Sequence, residues 1–299
     1  RARLLALKDL LERGDLSPST PKVGAGRHRV AFLTPSIDAI HKALKALDSG
    51  RSLSGRSGVW LRSEGRLYPT EQTPNPQLVF MCPGIEASFQ PKIDDLCARL
   101  GLPTPHLPLA DDLGAHGVSV IRLALTLDRI LKIFGLSPDQ YIGHSIGEWT
   151  GLIASGSLSE DVLEPFISSL SDTDLEIPEV AFLAVGAGQE RAELLLAELE
   201  GVVCSHDNCP HQSLFCLHPD RVEEALKRLA EGKVMAQILP FKSGFHAPYF
   251  QPYAHSITQY LTRFHFEQPH TPLWSATTCA PYPLETAELI DLSGRHLVE

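Results

Sequence analysis

One five-residue segment, Gly143-His144-Ser145-Ile146-Gly147, constrains this chain of 299 residues more than any other. A short apolar run, residues 141–143, precedes the serine, and a helical pattern begins directly after it. A strand-to-helix turn this tight admits only small residues beside the serine, and it holds the hydroxyl out at the head of a sheet. The pattern therefore predicts a nucleophile at Ser145 with the next backbone N–H available to an oxyanion. The alternative is a serine that only caps a helix.

Strand and helix patterns alternate around this bend. Residues 77–82 form an apolar run typical of a buried parallel strand, which Pro83-Gly84 ends. Helical spacing follows over residues 93–100, and a longer, mostly apolar helix is predicted over residues 119–134 with nearly complete burial. This order predicts an α/β fold with a doubly wound core.

The segment from residue 179 to residue 242 has a different pattern. Its predicted order is strand, helix, two strands of a hairpin, helix and strand, which is the ferredoxin-like motif. A buried-strand pattern resumes at residues 273–277. We therefore expect a core over 77–178 and 243–299 with a ferredoxin-like subdomain, 179–242, inserted in it.

Charge separates a further N-terminal unit, residues 1–76, that ends at a Pro-Asn-Pro boundary. Residues 1–66 carry 13 Lys and Arg against 6 Asp and Glu, whereas the remainder carries 13 against 30. The net charge of −10 argues against nucleic acid as a partner. No apolar run approaches the roughly 18 residues of a membrane span, and the charged start is unlike a signal peptide. These patterns, with few cysteines, favour a cytoplasmic protein without membrane partners.

A serine nucleophile needs a base within hydrogen-bond reach. In hydrolase-like folds the base follows the nucleophile along the chain, and the segment Phe245-His246-Ala247-Pro248 offers one. Spacing alone does not select His246 from the other twelve histidines.

Three segments together resemble a known family. Residues 143–148, GHSIGE, resemble the GHSxGE signature of acyl-CoA:acyl-carrier-protein transacylases. Residues 243–248, SGFHAP, resemble that family's catalytic-histidine segment, and residues 79–84 resemble its first strand and turn. Residues 1–76 are similar to the linker between ketosynthase and acyltransferase in type I polyketide synthases. The resemblance implies an α/β-hydrolase-like core with a ferredoxin-like subdomain and an N-terminal α/β linker domain.

The resemblance also implies a mechanism. Ser145 would attack an acyl-CoA thioester while His246 takes its proton, and the phosphopantetheine thiol of an acyl carrier protein would then accept the acyl group. The implied oxyanion donors are the backbone N–H groups of Ile85 and Ile146. Backbone carbonyls, rather than an Asp, would orient the histidine.

The same resemblance implies the substrate contacts and partners. Substrate-binding residues would be Gly84, His144 and Phe245. The implied partners are acyl-CoA as substrate, the acyl carrier protein and an adjacent ketosynthase domain of the same polypeptide. No tightly bound cofactor and no metal are implied.

Three departures from the family pattern bear on the chemistry. Residues 83–88 read PGIEAS where the family usually has PGQGSQ, and a Gln of the long helix falls at about Gly117. The Arg that pairs with malonate in malonyl-type members falls at about Ser169 or Leu170, and no Lys, Arg or His occurs between residues 149 and 190. A buried carboxylate without a partner is costly, so we expect a non-carboxylated acyl substrate. The alternative is a malonyl transferase with a substitute cation such as Arg122, because Phe245 also occurs in malonyl-type members.

Other interpretations remain open. Absence of the malonate-pairing Arg is also expected of an acyl hydrolase with this fold, and a non-catalytic docking module is a further alternative.

A zinc site is one further interpretation. Residues 204–211 contain two cysteines and two histidines, but these lie closer together than paired zinc ligands usually do. The basic residues of the N-terminal unit could form a docking surface for an acidic carrier protein; they are Arg27, Arg29, Arg51, Arg56 and Arg62.

Overall fold

The computed structural model describes residues 1–15, 28–55, 57–62, 77–85, 91–107, 113–163, 165, 180–240 and 244–299. The chain divides into two compact units, Arg1–Gln77 and Leu78–Glu299. No described helix is long and apolar enough to cross a membrane.

The first unit is a small α/β structure. An antiparallel sheet in the order β1-β3-β2 shares its core with two helices through Leu4, Ile40 and Val59. The second helix begins after Ser36, whose hydroxyl caps it by accepting a hydrogen bond from the Ala39 N–H at 3.1 Å. The elements are α1 (Ala2–Arg13), β1 (Arg29–Phe32), α2 (Ile37–Asp48), β2 (Leu53–Ser54) and β3 (Val59–Arg62).

The second unit contains two four-stranded sheets. Its elements in chain order are β4 (Val79–Cys82), α3 (Asp94–Leu100), α4 (Leu113–Ile133), β5 (Gln140–Gly143), α5 (Ile146–Ala154), β6 (Ala181–Val185), α6 (Gln189–Leu196), β7 (Val203–Cys209), β8 (Gln212–Leu217), α7 (Val222–Glu231), β9 (Ala236–Leu239), α8 (Gln251–Leu261), β10 (Leu273–Ser275), β11 (Ala280–Pro281) and α9 (Thr286–Arg295).

The core sheet has the order β11-β10-β5-β4. Strands β4, β5 and β10 run parallel, with Cys82, Gly143 and Ser275 in register at their carboxyl ends. These three ends therefore meet at one edge, which is where open α/β sheets bind their ligands. Apolar side chains of the strands and of α4, α5 and α8 form one buried core below that edge.

Helix α4 differs from its predicted form. It begins at Leu113, six residues earlier than expected, and the prediction of nearly complete burial is wrong. Leu127 is 40% exposed and Ile133 52% exposed. The reason is that β4 is the edge strand of the described sheet, where Met81 is also exposed, so no described element covers this face of α4.

The inserted subdomain has the predicted ferredoxin-like order. Strands β6 to β9 form an antiparallel sheet in the order β7-β8-β6-β9, with α6 and α7 packed on one face around Leu183, Phe215 and Leu229. Strand β7 contains two register shifts, one between Cys204 and His206 and one between Asp207 and Cys209.

Two helical glycines give a matched test of packing at the carboxyl edge. A Cβ at Gly147 would lie 2.1 Å from the Cys82 carbonyl oxygen, whereas a Cβ at Gly117 would meet the side chains of Ile146 and Ile85 at ordinary contact distances of 3.5 Å or more. We expect Gly147→Ala to lower the free energy of unfolding by roughly 3 kcal/mol and Gly117→Ala to raise it by about 0.5–1 kcal/mol. Urea denaturation of both variants measures this, and equal stability of the two would contradict the packing described.

Candidate active site

The chain bends sharply at Ser145. Its φ of 55° and ψ of −128° match the first central position of a type II′ turn, which the hydrogen bond from the Gly147 N–H to the His144 carbonyl closes at 2.9 Å. This conformation costs an L-residue about 1–3 kcal/mol and is concentrated at functional sites. The bend places the serine between the end of β5 and the start of α5.

Close packing supports the bend from the neighbouring strand. A Cβ at Gly84, just beyond β4, would lie 3.0 Å from His144 Nδ1 and 3.3 Å from the Ser145 Cβ. Glycine therefore lets the turn after β4 lie directly against the serine.

His246 is held against the serine hydroxyl. Its Nε2 lies 2.7 Å from the Ser145 Oγ, and its own backbone has a positive φ of 56°. The His246 N–H donates to the Leu297 carbonyl at 2.7 Å, and Nδ1 lies 3.2 Å from the Glu299 carbonyl. Because a carbonyl only accepts, Nδ1 carries the hydrogen, and Nε2 can accept the serine proton.

The surroundings keep this imidazole neutral. Burial lowers the pKa of His246 well below its usual range, and the neighbouring His206 and His296 lower it further. Rings surround it closely, with the His206 centroid at 4.5 Å and the His296 centroid at 6.1 Å. A neutral imidazole is the form that can act as a base.

Two backbone amides are placed near the serine. Ile146 is the first residue of α5, where N–H groups have no partner within the helix, and Ile85 lines the same cavity as the serine. Among the described residues, neither N–H takes part in a hydrogen bond. Each group is therefore a candidate hydrogen-bond donor to an anion.

A cavity of about 130 Å³ lies between the core and the ferredoxin-like subdomain. The core contributes the residues that the sequence singled out, Gly84, Ile85, His144, Ser145, Phe245 and His246. The subdomain contributes four that the sequence did not link to this site, Phe182, His206, Leu214 and Leu239. The two parts are also joined by His144 and Asn208, whose Nε2 and Oδ1 atoms lie 3.3 Å apart.

Three interpretations from the sequence can be compared with the structure: a substitute cation at Arg122, the position aligned with the malonate-pairing Arg, and a zinc site. The described wall of the cavity does not include Arg122, whose guanidinium donates to the His106 carbonyl at 2.9 Å. Ser169 and Leu170, like residues 86–88 and Ser243, lie outside the described residues. Within the described part of the chain, no three His, Cys, Asp or Glu side chains are grouped so as to hold a metal ion.

Residues 102–296 match the model of the acyl transferase domain family. A similar curated protein is the non-reducing polyketide synthase tpeB of Talaromyces stipitatus, 29% identical over 166 residues that cover 53% of this chain and 7% of the synthase. The conidial yellow pigment biosynthesis polyketide synthase melA of Penicillium expansum is 26% identical over 174 residues, which cover 57% of this chain and 8% of that protein. The chain thus spans less than a tenth of these relatives.

Solved structures show the same fold. The acyltransferase domain of an iterative polyketide synthase in enediyne biosynthesis matches with a TM-score of 0.70 and 20% identity, over 99% of this chain and 77% of that chain. The malonyl CoA-acyl carrier protein transacylase of Coxiella burnetii matches with a TM-score of 0.64 and 18% identity, over 75% of this chain and 79% of that chain. The architecture is the α/β-hydrolase-like core with a ferredoxin-like subdomain. The chain belongs to the acyl transferase domain family.

The lowered pKa of His246 sets the pH dependence of any reaction in which it is the base. The neutral form predominates above the pKa, so activity is lost only as pH falls through it. We expect the rate of Ser145 acylation by acyl-CoA to stay constant as pH falls through about 6.5, the ordinary pKa of histidine, and to decline only below that. Rapid-quench measurement of acyl-enzyme formation tests this, and a midpoint at or above the ordinary value would contradict it.

Proposed function

We propose that the chain is the acyltransferase part of a polyketide synthase. It would move an acyl group from coenzyme A, through an ester on Ser145, to the phosphopantetheine thiol of an acyl carrier protein. The observation that carries the proposal is the 2.7 Å contact between the Ser145 Oγ and the His246 Nε2 at a strained bend. Membership of the acyl transferase domain family supports the reaction class, and the relatives' names support the polyketide context.

In each half-reaction, His246 accepts the proton of the attacking group. The Ser145 oxygen attacks the thioester carbonyl as its proton passes to His246, and the negative charge develops on the carbonyl oxygen. The amides of Ile85 and Ile146 would stabilise that oxyanion, a contribution typically worth about 3 kcal/mol per donor. The intermediate collapses with cleavage of the carbon–sulfur bond, and His246 returns the proton to the coenzyme A sulfur.

The second half-reaction reverses these roles. His246 accepts the proton of the phosphopantetheine thiol, whose sulfur attacks the ester carbonyl, and the proton then returns to the Ser145 oxygen. The same donors serve both steps, so no tightly bound cofactor is required. This is a ping-pong mechanism with a Ser-His dyad, in which the Glu299 carbonyl orients the base.

The walls of the cavity favour an uncharged acyl group. Five of the described side chains are apolar, and none is Lys or Arg; the five are Ile85, Phe182, Leu214, Leu239 and Phe245. Burial and the nearby His144 lower the pKa of His206 to about 4, so that this ring carries no compensating charge at neutral pH. A free carboxylate would lose its hydration without gaining a described cationic partner. We therefore infer a monocarboxylic acyl substrate rather than malonyl.

We also propose the role of the first unit. Residues 1–76 would be the linker between a ketosynthase and this acyltransferase, with the core over 77–178 and 243–299 and the subdomain over 179–242. Arg29, Arg51 and Arg62 are exposed, and such a basic surface would attract an acidic carrier protein. Arg27 and Arg56 lie outside the described residues.

Acyl-CoA preference tests the proposed substrate. We expect intact-mass spectrometry to show an acyl-enzyme with acetyl-CoA and much less with malonyl-CoA, because the carboxylate finds no cation among the described residues of the cavity. Ser145→Ala is the control and should remain unmodified. Efficient malonyl loading would overturn the inferred substrate, and release of free acid faster than transfer to a carrier protein would indicate a hydrolase instead.

A further inference from the structure

We propose that His206 sets the length of the acyl group that Ser145 accepts and restricts it to short chains. The inference rests on the proposed function and narrows its substrate class. His206 comes from the subdomain, opposite the catalytic pair, and its ring lines the same cavity as Ser145.

A β-bulge turns this side chain toward the cavity. Cys204 pairs with Phe215, whereas His206 pairs with Leu214, so one extra residue, Ser205, stands in β7. Residues paired across strands share a face, and neighbours along a strand alternate. Without the extra residue, His206 would lie on the same face as Cys204, which packs with Phe215 under the helices.

The register of the sheet places the other cavity residues on the face that His206 reaches. Phe182 pairs with Leu239 of β9 and with Cys216 of β8, and Leu214 stands two residues before Cys216 on the same face. Bulges beside active sites commonly redirect a side chain in this way. The bulge thus adds a ring to an otherwise apolar wall.

Hydrogen bonds fix the ring in that position. The Ser205 hydroxyl donates to the Leu214 carbonyl at 3.3 Å, and its oxygen lies 2.9 Å from His206 Nδ1, from which it can accept. The ring centroid lies 4.5 Å from that of His246 and 5.3 Å from that of His144. A ring held on both sides cannot swing aside without breaking these contacts, so it acts as a fixed wall.

The size of the remaining space indicates a short chain. The cavity measures about 130 Å³, against roughly 300–1,000 Å³ for sites that enclose drug-sized ligands. In an apolar pocket one methylene group changes specificity by about 10–200-fold. Removal of the His206 ring should therefore shift the preference toward longer chains by a measurable factor.

The test is a competition between equal concentrations of acetyl-CoA and hexanoyl-CoA for the 299-residue chain, with the two acyl-enzymes resolved by intact mass. We expect acetyl to predominate in the wild type and His206→Ala to raise the hexanoyl-to-acetyl ratio by at least about tenfold. His206→Val, with a side chain suited to a strand, should raise the ratio as well and is measured in parallel in case the alanine variant does not fold.

Two control variants separate the effect of side-chain size at position 206 from other effects of substitution. His206→Phe replaces the imidazole with a ring that is at least as large and lacks Nδ1, and it should not raise the ratio. His211→Ala removes an exposed histidine from the turn of the same hairpin, away from the cavity, and should leave the ratio unchanged. An unchanged ratio in both small-residue variants, or an equal rise with phenylalanine, would overturn the role of His206 while leaving acyl transfer intact. Absence of any acyl-enzyme in the wild type would overturn the proposed function, and this inference with it.

Discussion

The close approach of α5 to the end of β4 is the constraint on which the rest of this structure depends. Gly147 lies against the Cys82 carbonyl with no room for a Cβ, so the chain must turn within a few residues of β5. That turn forces Ser145 to a positive φ and exposes its hydroxyl at the carboxyl edge of three parallel strands. The backbone strain at Ser145 is offset by the stability of the buried core below the bend, in which Trp149 and Leu152 of α5 pack.

Residues of both the core and the ferredoxin-like subdomain line the active-site cavity. The core supplies Ser145 and His246, but the wall facing them belongs to the ferredoxin-like sheet, through Phe182 and His206. The same wall contributes to the electrostatics, because His206 is among the neighbours that keep His246 neutral. Strand β7 therefore contributes to both the shape and the basicity of the site, because its bulge brings an imidazole next to that of His246.

Local sequence patterns predicted most elements and the sharp bend at Ser145, whose role as a nucleophile stays a prediction. The GHSIG run marked the bend, because a tight turn depends on adjacent residues. The exposed side of α4 was missed, since burial depends on which strand lies at the sheet edge. Strand β2, two residues long, is too short to show a period. His206 was noticed only as a possible zinc ligand, because a bulge is a property of the pairing of β7 with β8 and has no signal within β7 itself.

Activation of Ser145 by a neutral His246 is the central claim, and covalent labelling by a serine-reactive fluorophosphonate tests it most directly. Peptide mass spectrometry locates the label, and the labelling rate is compared between the wild type and His246→Asn, since asparagine tolerates the positive φ at this position. Our account predicts a single label on Ser145 and a rate roughly 10²–10⁴-fold lower in the variant, as expected for loss of a general base. Equal rates in the two proteins, or a label on another residue, would contradict it.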